Sequence, residues 1–284
     1  MSSSRLPGKV LLDIAGQPML VRVIERTRQA QSLDGIVVAT TADPSDDPIE
    51  RLCEQRGYPC YRGSLQDVLD RYYQAAKTFG AQVIVRITGD CPIIDPQVID
   101  AAVQVFAGAP DGFAATRLPP PWHRSITIGL DVEVVSFANL ERAWKEATQP
   151  YHREHVMPFF YEGIPLDMQA VHPISGQKPW SVAQGVSLRG FRVAVLHHDP
   201  DYGHLRWTVD TADDLRLLRA IFEHFAGHAD FTWQEILALV QSQPDLGKIN
   251  ANVRHKDFRE SETVETQNSV ETQDFASLPE DRDD

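Results

Sequence analysis

The stretch that decides the fold is Val83-Ile84-Val85-Arg86-Ile87-Thr88-Gly89-Asp90-Cys91-Pro92-Ile93-Ile94-Asp95-Pro96. Four of its first five residues are β-branched, and they do not alternate with polar ones as in a half-exposed strand. That is the pattern of a strand buried on both faces. Gly89 then permits close backbone approach, and Asp90 stands just beyond the strand end. Asp95-Pro96 opens a helix, with Asp as its cap and Pro at a first-turn position that needs no amide donor. Ile99, Ala102, Val103 and Phe106 share one face of that helix.

The same alternation extends in both directions. Residues 36–40 (IVVAT) read as another buried strand. A short helix at 48–56 follows, and then a helix from Ser64 with Leu65, Val68, Leu69, Tyr72, Ala76 and Phe79 on one stripe. Ser64 with Asp67 three residues on resembles a capping arrangement. An earlier amphipathic helix carries Leu20, Val23, Ile24 and Thr27. Toward the other end, Trp207-Thr208-Val209-Asp210-Thr211 ends a strand at Asp210 and starts a helix capped by Thr211, with Leu215, Leu218, Phe222 and Phe225 inward.

Strands alternating with helices predict an α/β protein with a mostly parallel, doubly wound sheet, whose ligands bind beyond the carboxyl ends of the strands. From 113 to 205 the pattern changes. Strand candidates at 130–135, 166–171 and 191–196 alternate with helices around 138–147 and 154–161, an inserted β-rich lobe. A doubly wound fold ordinarily opens with a strand leading into its first ligand loop. Here Ser2-Ser3-Ser4-Arg5-Leu6-Pro7-Gly8-Lys9 already reads as the loop. The expectation is therefore that the first strand is missing.

The 284 residues carry 27 Lys+Arg against 40 Asp+Glu, a net charge of −13. That balance disfavours a nucleic-acid or anionic-membrane surface, since both need a net basic face, but leaves room for a small anion site. The charge is uneven. Residues 257–284 hold ten acids and two arginines, a net of −8, leaving about −5 for residues 1–256. The stretch 257–284 has few large apolar residues and reads as a disordered acidic tail. Three cysteines without a CxxC signal neither a disulfide framework nor a thiolate metal site, and fit a reducing, cytoplasmic compartment. No apolar run is long enough to span a bilayer, and the first residues lack the apolar core of a signal peptide.

Four segments bear the chemistry. Arg5 and Lys9 flank a Pro-Gly turn after three serines, which suits a polyphosphate as well as it suits a flexible basic terminus. Asp90 and Asp210 both stand at strand ends, where two acids can bracket one Mg²⁺ or simply serve as turn residues. Arg62 follows the short run 58–61 and stands where a ligand at the strand end would be. The histidines at 152, 155, 197, 198 and 204 match no zinc spacing and read as structural or surface residues.

Taken in order, SSSRLPGKVL (2–11), IVVATTADPSDDPI (36–49), YRGSLQDVLDRYYQAA (61–76), VIVRITGDCPIIDP (83–96), GLDVEVVSFANLERAW (129–144), REHVMPFFYE (153–162) and RWTVDTADDLRLL (206–218) resemble the cytidylyltransferases that activate acidic sugars. The resemblance is to the branch of spore coat polysaccharide biosynthesis protein F, related to the acylneuraminate and 3-deoxy-manno-octulosonate enzymes. It spans about residues 2–256. It implies transfer of CMP from CTP to a sugar acid for surface polysaccharide or glycan assembly, with release of pyrophosphate. It also implies a catalytic set of Arg5, Lys9, Asp90 and Asp210, with Mg²⁺ on the two aspartates. Ser2, Ser3, Ser4, Arg5, Lys9, Thr40, Arg62 and Arg86 would lie at the nucleotide. The 129–162 segment would form the sugar pocket and part of a homodimer interface. Two departures stand out. The octulosonate enzymes have Gln where this chain has Thr88, so their contact at that position does not carry over. The family also has an apolar strand ending in Gln-Ala-Arg before the equivalent of Met1, which repeats the expectation of a missing first strand. Two competing readings are a nucleotide-sugar-dependent glycosyltransferase, for which no convincing D-x-D follows a strand, and a truncated, inactive relative acting as a binding subunit.

Overall fold

The computed structural model describes residues 5–165, 172–173 and 179–254. Ser2, Ser3 and Ser4, the expected strand at 166–171 and the acidic tail at 257–284 lie outside the described residues. The chain begins with a small antiparallel pair, β1 (Asp13–Ile14) and β2 (Gln17–Pro18), followed by α1 (Met19–Thr27). Then come β3 (Val38–Thr41), α2 (Asp47–Arg56), β4 (Cys60–Gly63), α3 (Val68–Thr78), β5 (Val83–Arg86), α4 (Pro96–Ala107), β6 (Phe113–Ala115), β7 (Glu133–Ser136) and α5 (Phe137–Glu146). The rest is α6 (Pro150–His155), α7 (Pro158–Tyr161), β8 (His172–Pro173), β9 (Trp180–Val186), β10 (Arg192–His198), α8 (Ala212–His224), α9 (Trp233–Ser242) and α10 (Pro244–Lys248).

The main sheet has the order β5-β7-β6-β10-β9-β8 and is mixed. β6 and β10 are parallel, whereas β7 runs antiparallel to both β5 and β6, and β9 runs antiparallel to β10 and β8. β3 and β4 pair in parallel as a separate sheet. The expectation of a mostly parallel sheet thus holds for two pairings and not for the main sheet. Hydrophobic pattern identifies a strand but not its direction, and β7 returns between β5 and β6 instead of beyond them. The strands between 113 and 198 join β5 in this same sheet.

Side chains alternate across the sheet and separate two cores. Val132, Val134, Ala114 and Ala194 pack with Ile93, Ile99, Phe106 and Phe222. Val135, Phe113, Ala115 and Val195 pack with Leu69, Tyr73, Phe159 and Phe160 on the opposite face. Asp95 caps α4 by accepting from the Gln97 amide, as expected, and its other oxygen accepts from the Trp233 amide at 2.8 Å. Arg26, fully buried, donates to the carbonyls of Ile94, Ala229 and Phe231 and so ties α1 to two loops.

Two helices differ from expectation. α3 starts at Val68 and not at Ser64, because Asp67 is the cap, accepting from the Asp70 amide, while Ser64 Oγ accepts from the Asp67 amide. Leu65 and Phe79 consequently fall outside the buried stripe and are exposed. The helix expected at 154–161 is two short helices, since Pro158 cannot continue the first and Val156 sits at φ 67°.

Candidate active site

The loop after β5, the segment before α8 and the first described residues meet at one place. Gly8, at φ 69°, turns the chain into a short 3₁₀ turn over Lys9–Leu11. That turn delivers Lys9 Nζ between two carboxylates distant in sequence. It lies 2.8 Å from Asp90 Oδ2 and 2.8 Å from Asp210 Oδ1, and also donates to the Val209 carbonyl at 2.8 Å. The Asp90 carbonyl accepts from the Val209 amide at 2.9 Å and from Thr208 Oγ1 at 3.0 Å, which locks the two acid-bearing segments together. Thr88 Oγ1 orients Asp90 by donating to Oδ1 at 2.6 Å.

Asp210 is surrounded by cations. Besides Lys9, it accepts from Arg206 at 2.6 Å and pairs with Arg5 at 3.1 Å. Burial pushes its carboxyl upward, but the hydrogen bonds and charges of Lys9 and Arg206 prevail and bring it down to about 2. Burial likewise disfavours the Lys9 ammonium, and Asp90 and Asp210 reverse this, so its pKa lies above the ordinary lysine value. Both partners therefore stay ionised near neutrality. Arg206 is aimed by Asp214, which accepts from it at 3.0 and 3.1 Å, from the Asp210 amide, and from Asn250 at 2.9 Å. Asp214 also completes the capping box of α8 with Thr211.

The structure therefore brings Arg5, Lys9, Asp90 and Asp210 into one cluster. It places the other expected site residues against protein groups. Thr40 is buried and donates to Asp46 at 2.7 Å. Arg62 donates to the carbonyls of Thr41 and Asp43 and pairs with Asp47 and Glu50, holding the β3–α2 connection. Arg86 pairs with Glu133 on the adjacent strand. Reading the sequence missed Arg206, Asp214 and Thr88 as members of the site. The signal was present in the spacing of Arg206 four residues before Asp210 and of Asp214 four after it, but only the turn at Asp210 converts that spacing into contact.

Gly129 holds this arrangement from beneath. It sits at φ 106°, and a Cβ there would lie 2.6 Å from the backbone carbon and oxygen of Trp207. The expected effect of Gly129→Ala is a loss of about 2–4 kcal/mol in urea unfolding, because it combines backbone strain with a clash against rigid main chain. Turnover falls as well, since the displaced segment leads directly to Asp210; the strand expected to end at Asp210 is not formed, and only an isolated bridge of Arg206 with Ile128 stands there. A midpoint within 0.3 M (about the resolution of the method) of wild type would contradict this.

The carboxylates converge on a single point, and both present hard oxygen donors of the kind Mg²⁺ prefers. The Lys9 ammonium holds that point through its three donors, so the donor set fits a divalent cation accompanied by an anionic ligand. Among the described residues, no group of three or more His, Cys, Asp or Glu side chains is disposed around one metal position, so ligand oxygens would have to complete any shell here.

Acids and cations gathered after β5 and before α8 of an α/β frame suit the binding of an anionic ligand such as a nucleotide. The cytidylyltransferase family model matches residues 1–186, and the chain belongs to that family. Its chemistry is nucleotidyl transfer. It is 35% identical over 263 residues to an uncharacterized protein of Methanocaldococcus jannaschii, covering 92% of this chain and 95% of that one. It is 28% identical to the spore coat polysaccharide biosynthesis protein SpsF of Bacillus subtilis, over 86% and 92% of the two chains. Identity to the 3-deoxy-manno-octulosonate cytidylyltransferase of Alcanivorax borkumensis is 28%, over 89% and 94%. Among solved structures, a cytidylyltransferase from Leptospira borgpetersenii superposes with a TM-score of 0.71 at 27% identity, covering 90% of this chain and 95% of that one.

Proposed function

We propose that this protein transfers CMP from CTP to a hydroxyl of an acidic sugar and releases pyrophosphate, supplying an activated sugar for surface polysaccharide or glycan assembly. The observation that carries the reading is the convergence of Arg5, Lys9 and Arg206 with Asp90, in the loop after β5, and Asp210, just before α8. The names of the relatives favour a sugar acid as acceptor. In the reaction the sugar oxygen forms a bond to the α-phosphorus, the bond from that phosphorus to the bridging oxygen breaks, and the hydroxyl proton is lost. Such a reaction depends on positioning and charge neutralisation. Arg5 and Lys9 hold the triphosphate. All three Lys9 donors are engaged by Asp90, Asp210 and Val209, so engaging a phosphate requires the ammonium to leave at least one of them. Asp90 and Asp210 hold Mg²⁺, which when bound offsets triphosphate charge.

Ser2, Ser3 and Ser4 belong to the nucleotide site in this reading. Thr40, Arg62 and Arg86 belong to the same nucleotide site, Thr40 and Arg62 by shaping its β3–α2 wall. The domain spans 1–256, with 113–205 as the substrate and dimerisation lobe. A homodimer forms through the 129–162 segment. Support for it is the exposed pair Val186 and Leu188 at the turn between β9 and β10, where the Leu188 amide reaches the Glu162 carbonyl at 3.1 Å. The doubly wound arrangement is part of the same proposal, since a strand joining β3 to β5 would merge the two sheets into one. No helix among the described residues is long and apolar enough to cross a membrane, and we place the protein in the cytoplasm.

The test incubates the purified chain with each of the four nucleoside triphosphates, Mg²⁺ and a panel of sugar acids, and detects pyrophosphate. The expected result is release that requires both CTP and a sugar acid. Release that is indifferent to the sugar, or consumption of a CMP-sugar without use of CTP, would count against the proposal.

A further inference from the structure

Beside the aspartate cluster lies a second group of charges. Arg86 on β5 is in register with Glu133 on β7 and pairs with it. Ala115 on β6 faces the same Glu133, and Arg117 follows two residues on. The Thr116 amide donates to the Val132 carbonyl, while Thr116 Oγ1 donates to the Leu130 carbonyl and accepts from the Val132 amide, which sets Arg117 beside Asp131. Asp131 Oδ2 is 3.5 Å from Arg117 Nε, and Asp131 Oδ1 pairs with Arg124. Two guanidinium groups therefore share one carboxylate. Counting Arg86 and Glu133, three cations stand against two anions.

The donors are also incompletely satisfied. Nε of Arg71 and of Arg86 is buried and has no hydrogen-bond partner among the described residues, and Arg117 Nε, equally buried, has only its 3.5 Å ion-pair contact with Asp131. Buried donors without a close acceptor are costly, so the patch favours a further anion. The carboxylates bordering Arg71 have other donors, since Asp46 accepts from Thr40 and Thr41 and Asp67 from Arg153. The Arg117 and Arg124 side chains are still 24% and 14% exposed, so a ligand has access. Gly203 fixes the Arg124 backbone, because a Cβ there would lie 2.1 Å from the Arg124 carbonyl oxygen and 2.8 Å from its Cγ.

The patch adjoins the reaction centre. The chain from Ile128 to Asp131 runs beside Arg206–Thr208, through a bridge of Ile128 with Arg206 and the Trp207 amide on the Ile128 carbonyl at 2.7 Å.

We infer that Arg117 and Arg124, backed by Asp131, form a carboxylate subsite that binds the acid group of the acceptor sugar and fixes which hydroxyl faces the nucleotide. The inference rests on the proposed function, because it names how that acceptor is recognised. A carboxylate accepts two parallel bonds from a guanidinium and matches the one uncompensated charge. Asp131 keeps the two cations apart and oriented without neutralising both.

The experiment compares a turned-over sugar acid with its methyl ester, in wild type and in Arg117→Gln and Arg124→Gln, with the KM for CTP measured in parallel. Wild type should favour the acid by roughly 10–100-fold in kcat/KM, the range of a charge-assisted bond pair. In each variant that preference should fall to about threefold or less. KM for the acid should rise at least tenfold, and KM for CTP should change less than about threefold. Arg117→Lys should restore part of the preference, which a merely structural role does not require. A variant that keeps the acid preference overturns the subsite, as does one in which KM for CTP rises as much as KM for the acid, since the patch would then serve phosphate. If wild type turns over no sugar acid at all, the proposed function fails and takes this inference with it.

Discussion

Replacing Asp210 with Asn lowers CMP transfer by roughly 10³-fold, the scale of removing a charge aimed at a reacting phosphoryl group. The side chain keeps its size, so the fall reports charge. Asp210 joins Lys9, Arg206 and Arg5, and the neutral amide would leave Lys9 with Asp90 and Arg206 with Asp214 as their carboxylate partners. The same substitution has a separate signature in stability. The Asp210 carboxyl is held at about 2 against an ordinary value of 3.8. Its folded pKa is depressed, so its contribution is present above the unfolded value and lost as pH falls through about 2. It amounts to roughly 2 kcal/mol by linkage. Wild type should lose that increment between about pH 4 and pH 2, and Asp210→Asn should not. Equal acid sensitivity in the two proteins, followed by thermal unfolding, would show that the ion cluster is not formed as described.

Replacing Lys9 with Met separates two roles in opposite directions. Lys9 neutralises Asp90 and Asp210 in the free protein and, in the proposed reaction, the triphosphate. Without it, kcat/KM for CTP should fall by about 10²–10³-fold, since a charge on the phosphoryl group is lost. Binding of a divalent cation in the absence of CTP should tighten by roughly tenfold, because two carboxylates that faced an ammonium now face nothing of opposite sign except Arg5 and Arg206. Mn²⁺ titration followed by electron paramagnetic resonance reads this directly. Weaker metal binding in Lys9→Met would mean that Lys9 shapes the carboxylate pair and does not compete for it.

Much of this site was legible because its parts are local. The acid after Gly89, the Asp95 cap and the Thr211 cap each follow from a few adjacent residues, and the structure has them; the strand read from Val83 to Ile87 forms over Val83–Arg86, but at the edge of the main sheet with Val83 exposed, not buried on both faces. What stayed hidden depends on chain reversal. Lys9 meets Asp90 across 81 positions and Asp210 across 201, and no spacing rule spans those distances. Arg117 and Arg124 become a pair only because the return to β7 brings Asp131 between them. β9 went unread since its sequence, WSVAQGV, includes Gly185 and Gln184 and has no clean alternation. α9 went unread although Thr232 and Glu235 form a capping box at its start. The direction of β7 has no signature in composition at all, and that direction makes the main sheet mixed.

The resemblance to cytidylyltransferases supplied the reaction, and the structure supplies its electrostatic logic. A chain of net charge −13 collects three cations, Arg5, Lys9 and Arg206, around two acids, one in the loop after β5 and one just before α8. Long-range charge is screened within about 10 Å in salt, so this local arrangement and not the total sets what anion binds.

The most direct test of the central claim is phosphorus NMR of CTP incubated with Mg²⁺ and a sugar acid, run with wild type and with Asp90→Asn. The expected result is a new phosphodiester resonance of a CMP-sugar that grows in step with pyrophosphate in wild type and is absent in the variant. Unchanged CTP with every sugar acid in the panel, or equal product from Asp90→Asn, would contradict the assignment of this site to cytidylyl transfer.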